Sequence, residues 1–227
     1  AKDFMKEVPE KLPFMGTSCC PAWSVMAKKL FPDYAECISM TMTPMVLTAR
    51  LIKKKDKDAR ICFVGPCSAK KLEASRRSVR SEVDFVLTFE ELMGLFEAKE
   101  VDFKSLPDDP NDNFDEASGD GRGFAVSGGV AQAVVNAIHK IDPDREVKVA
   151  SAQGLADCRK MMMMAKAGKY NGYLLEGMAC PGGCIAGAGT LADPARSAAM
   201  LTKYKAQAPM TNAVDNPYCE NLEALKY

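Results

Sequence analysis

The sequence has one histidine and one tryptophan in 227 residues, and its formal net charge is zero. A single histidine, His139, excludes a zinc or copper centre built from several imidazoles. Thirty basic and thirty acidic residues cancel, which argues against nucleic acid or an anionic membrane as the main partner. No apolar run is long enough to cross a bilayer, and no signal peptide opens the chain. There is no Cys-x-x-Cys pair, no internal repeat and no low-complexity segment. Nine cysteines are present, an odd number in a chain too large to need disulfide staples. They fit a reducing, cytoplasmic compartment, with some binding metal and the others kept as thiols.

What is there reads as a soluble α/β protein. Hydrophobic residues make up 47% and charged residues 26%, ordinary for a globular core. Residues 1–15 read as polar, a truncated start or a remnant added in cloning. Pro21 suits the first turn of a helix with Ser18 or Cys19 near its cap, ending near Phe31-Pro32. Residues 61–64 are all apolar and predict a buried parallel strand. Asp84 to Thr88 is a second strand, and Thr88 with Glu91 makes a capping box. Residues 105–122 are rich in Asp, Pro, Gly and Asn and predict a long loop, the place for a crossing between two lobes. A helix follows Ser127-Gly-Gly129, where paired glycines at a helix start could hold an anion, although a tight turn explains them as well. A strand over 147–152, a helix over 155–167 and a strand at Tyr173 complete repeated strand–helix units. Of the fourteen methionines, Met161 to Met164 read as helix core.

Three cysteine turns carry the chemistry. Thr17-Ser-Cys-Cys-Pro-x-Trp23 places thiols at a helix start, where the dipole favours thiolate. Adjacent cysteines do not normally ligate one ion, so one of the pair has another role. Gly65-Pro66-Cys67 ends a strand, and Lys70 and Glu73 follow Cys67 at helical spacing. Glu176-x-Met178-x-Cys180-x-x-Gly-Cys184-x-x-Gly187 breaks a strand into glycine-rich backbone, where main chain can approach a bulky ligand. Soft thiolates at such turns select zinc, copper(I) or iron–sulfur clusters.

Together and in this order, the three turns resemble the signature motifs of the catalytic domain of iron-only (FeFe) hydrogenases. Ser39, Pro44, Phe124 and Ser127-Gly-Gly129 resemble the intervening segments, and the likeness covers most of residues 15–190. It implies two lobes of mostly parallel sheet flanked by helices, with a cofactor cleft between them, across a single catalytic domain over 1–227 and a lobe boundary near 105–122. It implies that Cys20, Cys67, Cys180 and Cys184 ligate a 4Fe–4S cluster. Cys184 would also bridge to a di-iron subcluster carrying carbonyl, cyanide and azadithiolate. Cys19 would pass protons, a modest shift bringing its thiol near neutral pKa, and Ser39 would continue the path. Lys70 would donate to a cyanide. Gly65, Pro66 and Glu73 belong to the second turn, and Pro44, Phe124 and Met178 would wall the pocket.

The resemblance further implies reversible interconversion of H2 with protons and electrons, a ferredoxin or attached iron–sulfur domains as electron partner, and maturation proteins. Cys37, Cys62, Cys158 and Cys219 read as ordinary thiols. Gly65 stands where the family usually has methionine, Ala188 interrupts a usual glycine triplet, and Met45 follows Pro44 in place of a polar residue. Sixteen residues precede Thr17, fewer than the family's domain has there. This implies a divergent, N-terminally shortened piece that is inactive alone and holds at most a partial cofactor. The alternatives are a non-catalytic hydrogen or redox sensor, or an iron–sulfur assembly factor of the same fold. A structural zinc domain is disfavoured by the wide spread of the four cysteines.

Overall fold

The computed structural model describes residues 1–107 and 116–219. In chain order it contains α1 (Lys2–Glu7), β1 (Phe14–Gly16), α2 (Pro21–Leu30), α3 (Pro44–Lys55), β2 (Cys62–Gly65), α4 (Ala69–Ser75), β3 (Phe85–Thr88), α5 (Phe89–Ala98), α6 (Gly119–Arg122), α7 (Gly129–Ile141), β4 (Lys148–Gln153), α8 (Leu155–Lys166), β5 (Tyr173–Met178) and α9 (Pro194–Ala206). The strands form two parallel sheets, β1-β5-β4 and β2-β3. Among the described residues every strand pair is parallel, as strand–helix alternation predicts.

The opening residues are not a polar remnant. Phe4, Val8, Phe14 and Met15 are buried, and β1 pairs with β5 with Phe14 beside Tyr173 and Gly16 beside Leu175. The charged residues around them masked a short apolar strand that only a distant partner stabilises. This pairing also bears on the lobes. A single boundary near 105–122 would part β1 from the sheet that β4 and β5 complete, so the sheets are not consecutive along the chain. Residues 108–115 of the expected crossing loop lie outside the described residues; the loop's end forms α6.

The core gathers on the three-stranded sheet. Phe14, Trp23, Ile38, Cys158, Met162 and Leu175 form one buried cluster between α2, α8 and the strands. Phe4, Val8, Met15, Ala131, Ile138 and Leu174 form a second beneath α1 and α7. Fully burying each large apolar side chain contributes about 1.5–3 kcal/mol. The methionine run is split: Met161 and Met162 are buried, whereas Met163 and Met164 are 56% and 39% exposed, because four consecutive residues span more than one face of a helix.

The second sheet departs from expectation. Residues 61–64 do form a parallel strand, but Val64 is 37% exposed and Phe85 on its partner 60%. Among the described residues β2 pairs only with β3. An all-apolar run signals a strand; it does not say what covers it. The Thr88–Glu91 capping box is present in both directions, and α5 buries none of its residues fully.

The two sheets' neighbours are set by close backbone approach. A Cβ at Gly177 would lie 2.2 Å from the Trp23 ring, so glycine lets the indole rest on β5 itself. Trp23 Nε1 then donates to Thr17 O at 3.0 Å. Gly177→Ala should destabilise the fold by about 1–3 kcal/mol through overpacking. Gly94→Ala, in α5 with open space at its Cβ, should stabilise by about 0.5–1 kcal/mol. Urea denaturation of the two variants checks both signs; an unchanged midpoint for Gly177→Ala would contradict the packing.

Candidate metal centre

The first turn leaves β1 at Gly16 and is held on both sides. Thr17 N donates to Leu175 O at 2.9 Å and Ser39 N donates to Gly16 O at 2.9 Å. Cys20, and neither Ser18 nor Cys19, is the N-cap of α2, with Pro21 in the first helical turn. The ten-residue helix thus begins at Cys20, whose side chain makes no capping hydrogen bond. Ala179 N donates to Cys20 Sγ at 3.4 Å, which joins the first turn to the third.

The second turn leaves β2 at Gly65 and enters α4. Lys70 and Glu73 are both buried, and Lys70 Nζ donates to Glu73 Oε2 at 2.7 Å and to Cys19 O at 3.3 Å. The helical spacing of Lys70 and Glu73 therefore does gather them on one face. At Gly65 a Cβ would lie 2.8 Å from the far edge of the half-buried Phe63 ring, which would have to shift to admit a side chain.

The third turn leaves β5 after Met178 and is built on glycine. Gly182 and Gly183 both have φ of +93°, a left-handed conformation that disfavours other residues. Gly189 N donates to Pro66 O at 2.9 Å, and a Cβ at Gly187 would lie 2.4 Å from that same oxygen. The third turn is thus clamped onto the second by main chain. Ala188 between them is exposed, so a methyl group is tolerated there and the interrupted glycine triplet has a physical reason.

The three turns converge, and the charges of the cysteines register it. Burial pushes the Cys19 thiol up to about 12, with Cys20, Glu176 and Cys184 adding and Lys70 opposing. Burial and then Cys67 and Cys20 push Cys184 up to about 11. Burial and then Cys20 and Cys67 also raise Cys180. The expected near-neutral value for Cys19 is therefore not what this fold produces: low polarity and neighbouring sulfurs keep the proton on. Sulfurs that raise one another in this way suit a cationic metal cluster, which supplies the missing counter-charge and deprotonates its ligands. Among the described residues no three His, Cys, Asp or Glu side chains are set to hold a single metal ion. A multi-iron cluster asks for a wider set, since each thiolate binds its own iron. The donor set fits a 4Fe–4S cluster.

The remaining expected residues fall around these turns. Met178 is buried and Phe124 and Pro66 are half-buried, whereas Pro44 opens α3 and is exposed. Ser39 Oγ donates to Thr41 Oγ1 at 3.0 Å, which donates to Asp3 Oδ2 at 3.4 Å. Beside this hydroxyl chain lies a cavity of about 870 Å³, bordered by Ser18, Lys28, Ser39, Thr43 and Glu73. Thr17 Oγ1 and Thr43 Oγ1 are buried without a hydrogen-bond partner. Cys158 is buried against Ala152 O and Met178 O, and Cys37 is buried too, whereas Cys62 is exposed. His139 is an exposed helix residue, its Nε2 3.1 Å from Arg145 O.

Sequence reasoning gave no role to Glu176, which is fully buried. Its carboxylate receives N–H donors at the start of α7, including Val130 N at 3.1 Å. The anion suggested for Gly128-Gly129 is thus a side chain of the protein itself. The signal was available in its place at the head of the third motif.

These thiols give a pH dependence. Cys19, Cys158 and Cys184 sit at about 12, 11 and 11, above the ordinary thiol value near 8.5. The folded state binds their protons more tightly than the unfolded state. Their contribution to stability is complete below pH about 8.5 and is lost as pH rises through the folded values. Protein purified without iron should show a falling denaturation midpoint from pH 8.5 to 11, with a shallower fall in Cys158→Ala. A flat profile would contradict the enclosed thiols.

Comparison with known proteins agrees with the motifs. Residues 1–188 match the family model "Iron only hydrogenase large subunit, C-terminal domain". The periplasmic Fe hydrogenase large subunit of Nitratidesulfovibrio vulgaris is 30% identical over 76% of this chain and 50% of its own length. The NADP-reducing hydrogenase subunit HndD of Solidesulfovibrio fructosivorans is 30% identical over 79% of this chain and 37% of its own. A cytosolic Fe-S cluster assembly factor, narfl of Danio rerio, is 26% identical over 82% and 56%. The chain therefore spans about half or less of the curated hydrogenases it matches. Among solved structures, an FeFe-hydrogenase HydA1 from Chlamydomonas reinhardtii superposes with a TM-score of 0.70 at 22% identity, covering 99% of this chain and 74% of that one. That likeness establishes the fold. Among the described residues no helix is long and apolar enough to cross a membrane.

Proposed function

Because the chain belongs to the family formed by the C-terminal domain of iron-only hydrogenase large subunits, we propose that it is the cofactor-holding part of a hydrogenase, interconverting H2 with protons and electrons. The observation that carries this reading is the convergence of the Cys19-Cys20, Cys67 and Cys180-to-Cys184 turns, with Lys70 reaching from the second turn to the first. Cys20, Cys67, Cys180 and Cys184 would hold a 4Fe–4S cluster, with Cys184 shared by a di-iron subcluster bearing carbonyl, cyanide and azadithiolate. When bound, this cofactor would relay electrons to and from the partner and would offer the open iron at which hydrogen is handled.

The chain's own groups do the rest. Cys19 is a non-ligand that holds its proton at Sγ, so it acts first as a donor. Ser39, Thr41 and Asp3 form a hydrogen-bonded file toward solvent that suits proton passage. Lys70 is buried with Glu73 accepting from it, and its amine is positioned as a donor for an anionic ligand such as cyanide. Met178 and Pro66 contribute apolar wall. An electron partner of the ferredoxin type or attached iron–sulfur domains, and maturation proteins that deliver the di-iron part, follow from this reading. The nine free cysteines support a reducing, cytoplasmic setting.

A second reading is favoured by one observation: the relatives include cytosolic Fe-S cluster assembly factors. In that reading, as in a non-catalytic sensor, the thiolate cluster is kept without hydrogen turnover. Retention of Cys19, Lys70 and Met178 supports the hydrogenase, since a cluster carrier needs neither a proton-bearing thiol nor a donor to cyanide.

Reconstitution with iron and sulfide should load about one 4Fe–4S cluster per chain. Cys67→Ala should abolish its visible absorbance and Cys158→Ala should retain it; equal loss from both would show that the ligands are misassigned. Infrared spectra after anaerobic maturation then separate the readings. Carbonyl and cyanide bands with hydrogen turnover are expected, bands without turnover would mean a sensor, and a cluster without bands would mean an assembly factor.

A further inference from the structure

Charge is unevenly spread along the chain. Residues 50–80 hold eleven basic and three acidic residues, in a chain whose total is zero. Part of this excess borders the cavity of about 870 Å³ beside the first turn. Lys28 and Lys29 of α2, Arg50 of α3, and Arg76 and Arg80 of the loop after α4 all line it. Two acids line it too: Glu82, and Glu73, which is already paired with Lys70 at 2.7 Å. Among the described residues no carboxylate lies within ion-pair distance of Lys28, Lys29, Arg76 or Arg80.

The loop that carries Arg76 and Arg80 is held in a fixed shape. Arg80 and Glu82 have φ of +45° and +62°, the left-handed region that residues other than glycine rarely adopt. Arg50 fastens them: its guanidinium donates to Val79 O at 2.7 Å and to Arg80 O at 3.0 Å. Ser81 is buried, donates to Ala74 O at 2.9 Å and accepts from Val83 N at 3.2 Å. Such backbone persists only where its surroundings over-determine it, and it clusters at ligand clamps. On the α2 side, Lys28 Nζ donates to Met40 Sδ at 3.3 Å. A thioether is a weak acceptor and no counter-charge. Burial and then Arg76 lower the Lys28 ammonium below the ordinary lysine value, as cations facing one space do.

Apolar groups share this lining. Val25, Met40, Met42 and Leu72 border the same cavity, and Met40 and Leu72 are 72% and 55% exposed. Exposed apolar groups among cations do nothing for a bare phosphate. They suit a polypeptide whose carboxylates meet the lysine and arginine groups while its apolar side chains meet the methionines, which adapt to the shape of what they touch. The volume falls in the upper part of the range that ligand sites use.

We infer that this cavity docks an acidic polypeptide segment, with carboxylates on Lys28, Arg76 and Arg80 and apolar side chains on Met40, Met42 and Leu72. Charge complementarity to a basic wall, in a chain of zero net charge, selects the partner. The inference does not depend on the cluster reading, since none of these six residues is assigned to the metal.

The test is fluorescence anisotropy of a labelled peptide of alternating glutamate and leucine, titrated with the 227-residue chain. Saturable binding that weakens as salt is raised is expected. Lys28→Gln combined with Arg76→Gln should weaken it by about tenfold, and Leu72→Ser should weaken it by less. Lys148→Gln, at an exposed position of β4 outside the cavity lining, should leave it unchanged. Arg76 and Leu72 are exposed and Lys28 is half-buried, so none of these changes opens the core, which circular dichroism checks. Absence of saturable binding, equal affinity for a peptide with glutamine in place of glutamate, or an equal loss in Lys148→Gln would overturn the inference. Displacement of the peptide by pyrophosphate, with binding unaltered in Leu72→Ser, would overturn it as well and leave a small-anion site.

Discussion

The close contact of Trp23 with the backbone of Gly177 is the constraint on which the rest depends. It seats the start of α2 directly against β5. Two of the three cysteine turns lie within a few residues of that contact: Cys19 and Cys20 before the indole, Met178 and Cys180 after the glycine. The indole is buried and its N–H is spent on Thr17 O, so the ring has one orientation, and the Cys19-Cys20 turn inherits it. The second turn is then tied in by backbone, through Gly189 N to Pro66 O and through Lys70 Nζ to Cys19 O. Strand ends and close glycine contacts bring these loops together.

Charge is arranged around this frame in two ways. Lys70 and Glu73 form a buried pair at 2.7 Å, with a second acceptor for Lys70 Nζ at Cys19 O. Breaking such a pair is costly because the survivor is stranded. Glu176 is the opposite device, a carboxylate balanced by N–H dipoles. Burial first, and then the neighbouring sulfurs, push the Cys19, Cys180 and Cys184 thiols upward until a cation arrives. A site of this kind resists bare thiolates at Cys180 and Cys184 and welcomes iron, which couples cluster loading to the site's electrostatics.

Much of this was legible in the sequence, for identifiable reasons. The strand–helix alternation, the Thr88–Glu91 box and the three cysteine turns are local patterns, and local patterns survive without the fold. β1 was hidden because three residues, Phe14 to Gly16, carry no periodicity and are a strand only because β5 lies beside them. The exposure of Val64 and Phe85 was hidden because coverage is a tertiary property. Cys19 was expected near neutral because thiols commonly shift downward beside helix starts. The helix start belongs to Cys20, and Cys19 faces burial and other sulfurs instead. Glu176 was visible as a letter in a motif, but its meaning required α7, which begins far upstream at Gly129.

The central claim is that Cys20, Cys67, Cys180 and Cys184 act as one four-thiolate site for a multi-iron cluster. Iron K-edge X-ray absorption of the reconstituted chain tests it most directly. The account predicts an all-sulfur first shell together with an iron–iron shell, both lost in Cys184→Ala. A sulfur shell with no iron–iron scattering, or nitrogen and oxygen ligands in place of sulfur, would contradict it.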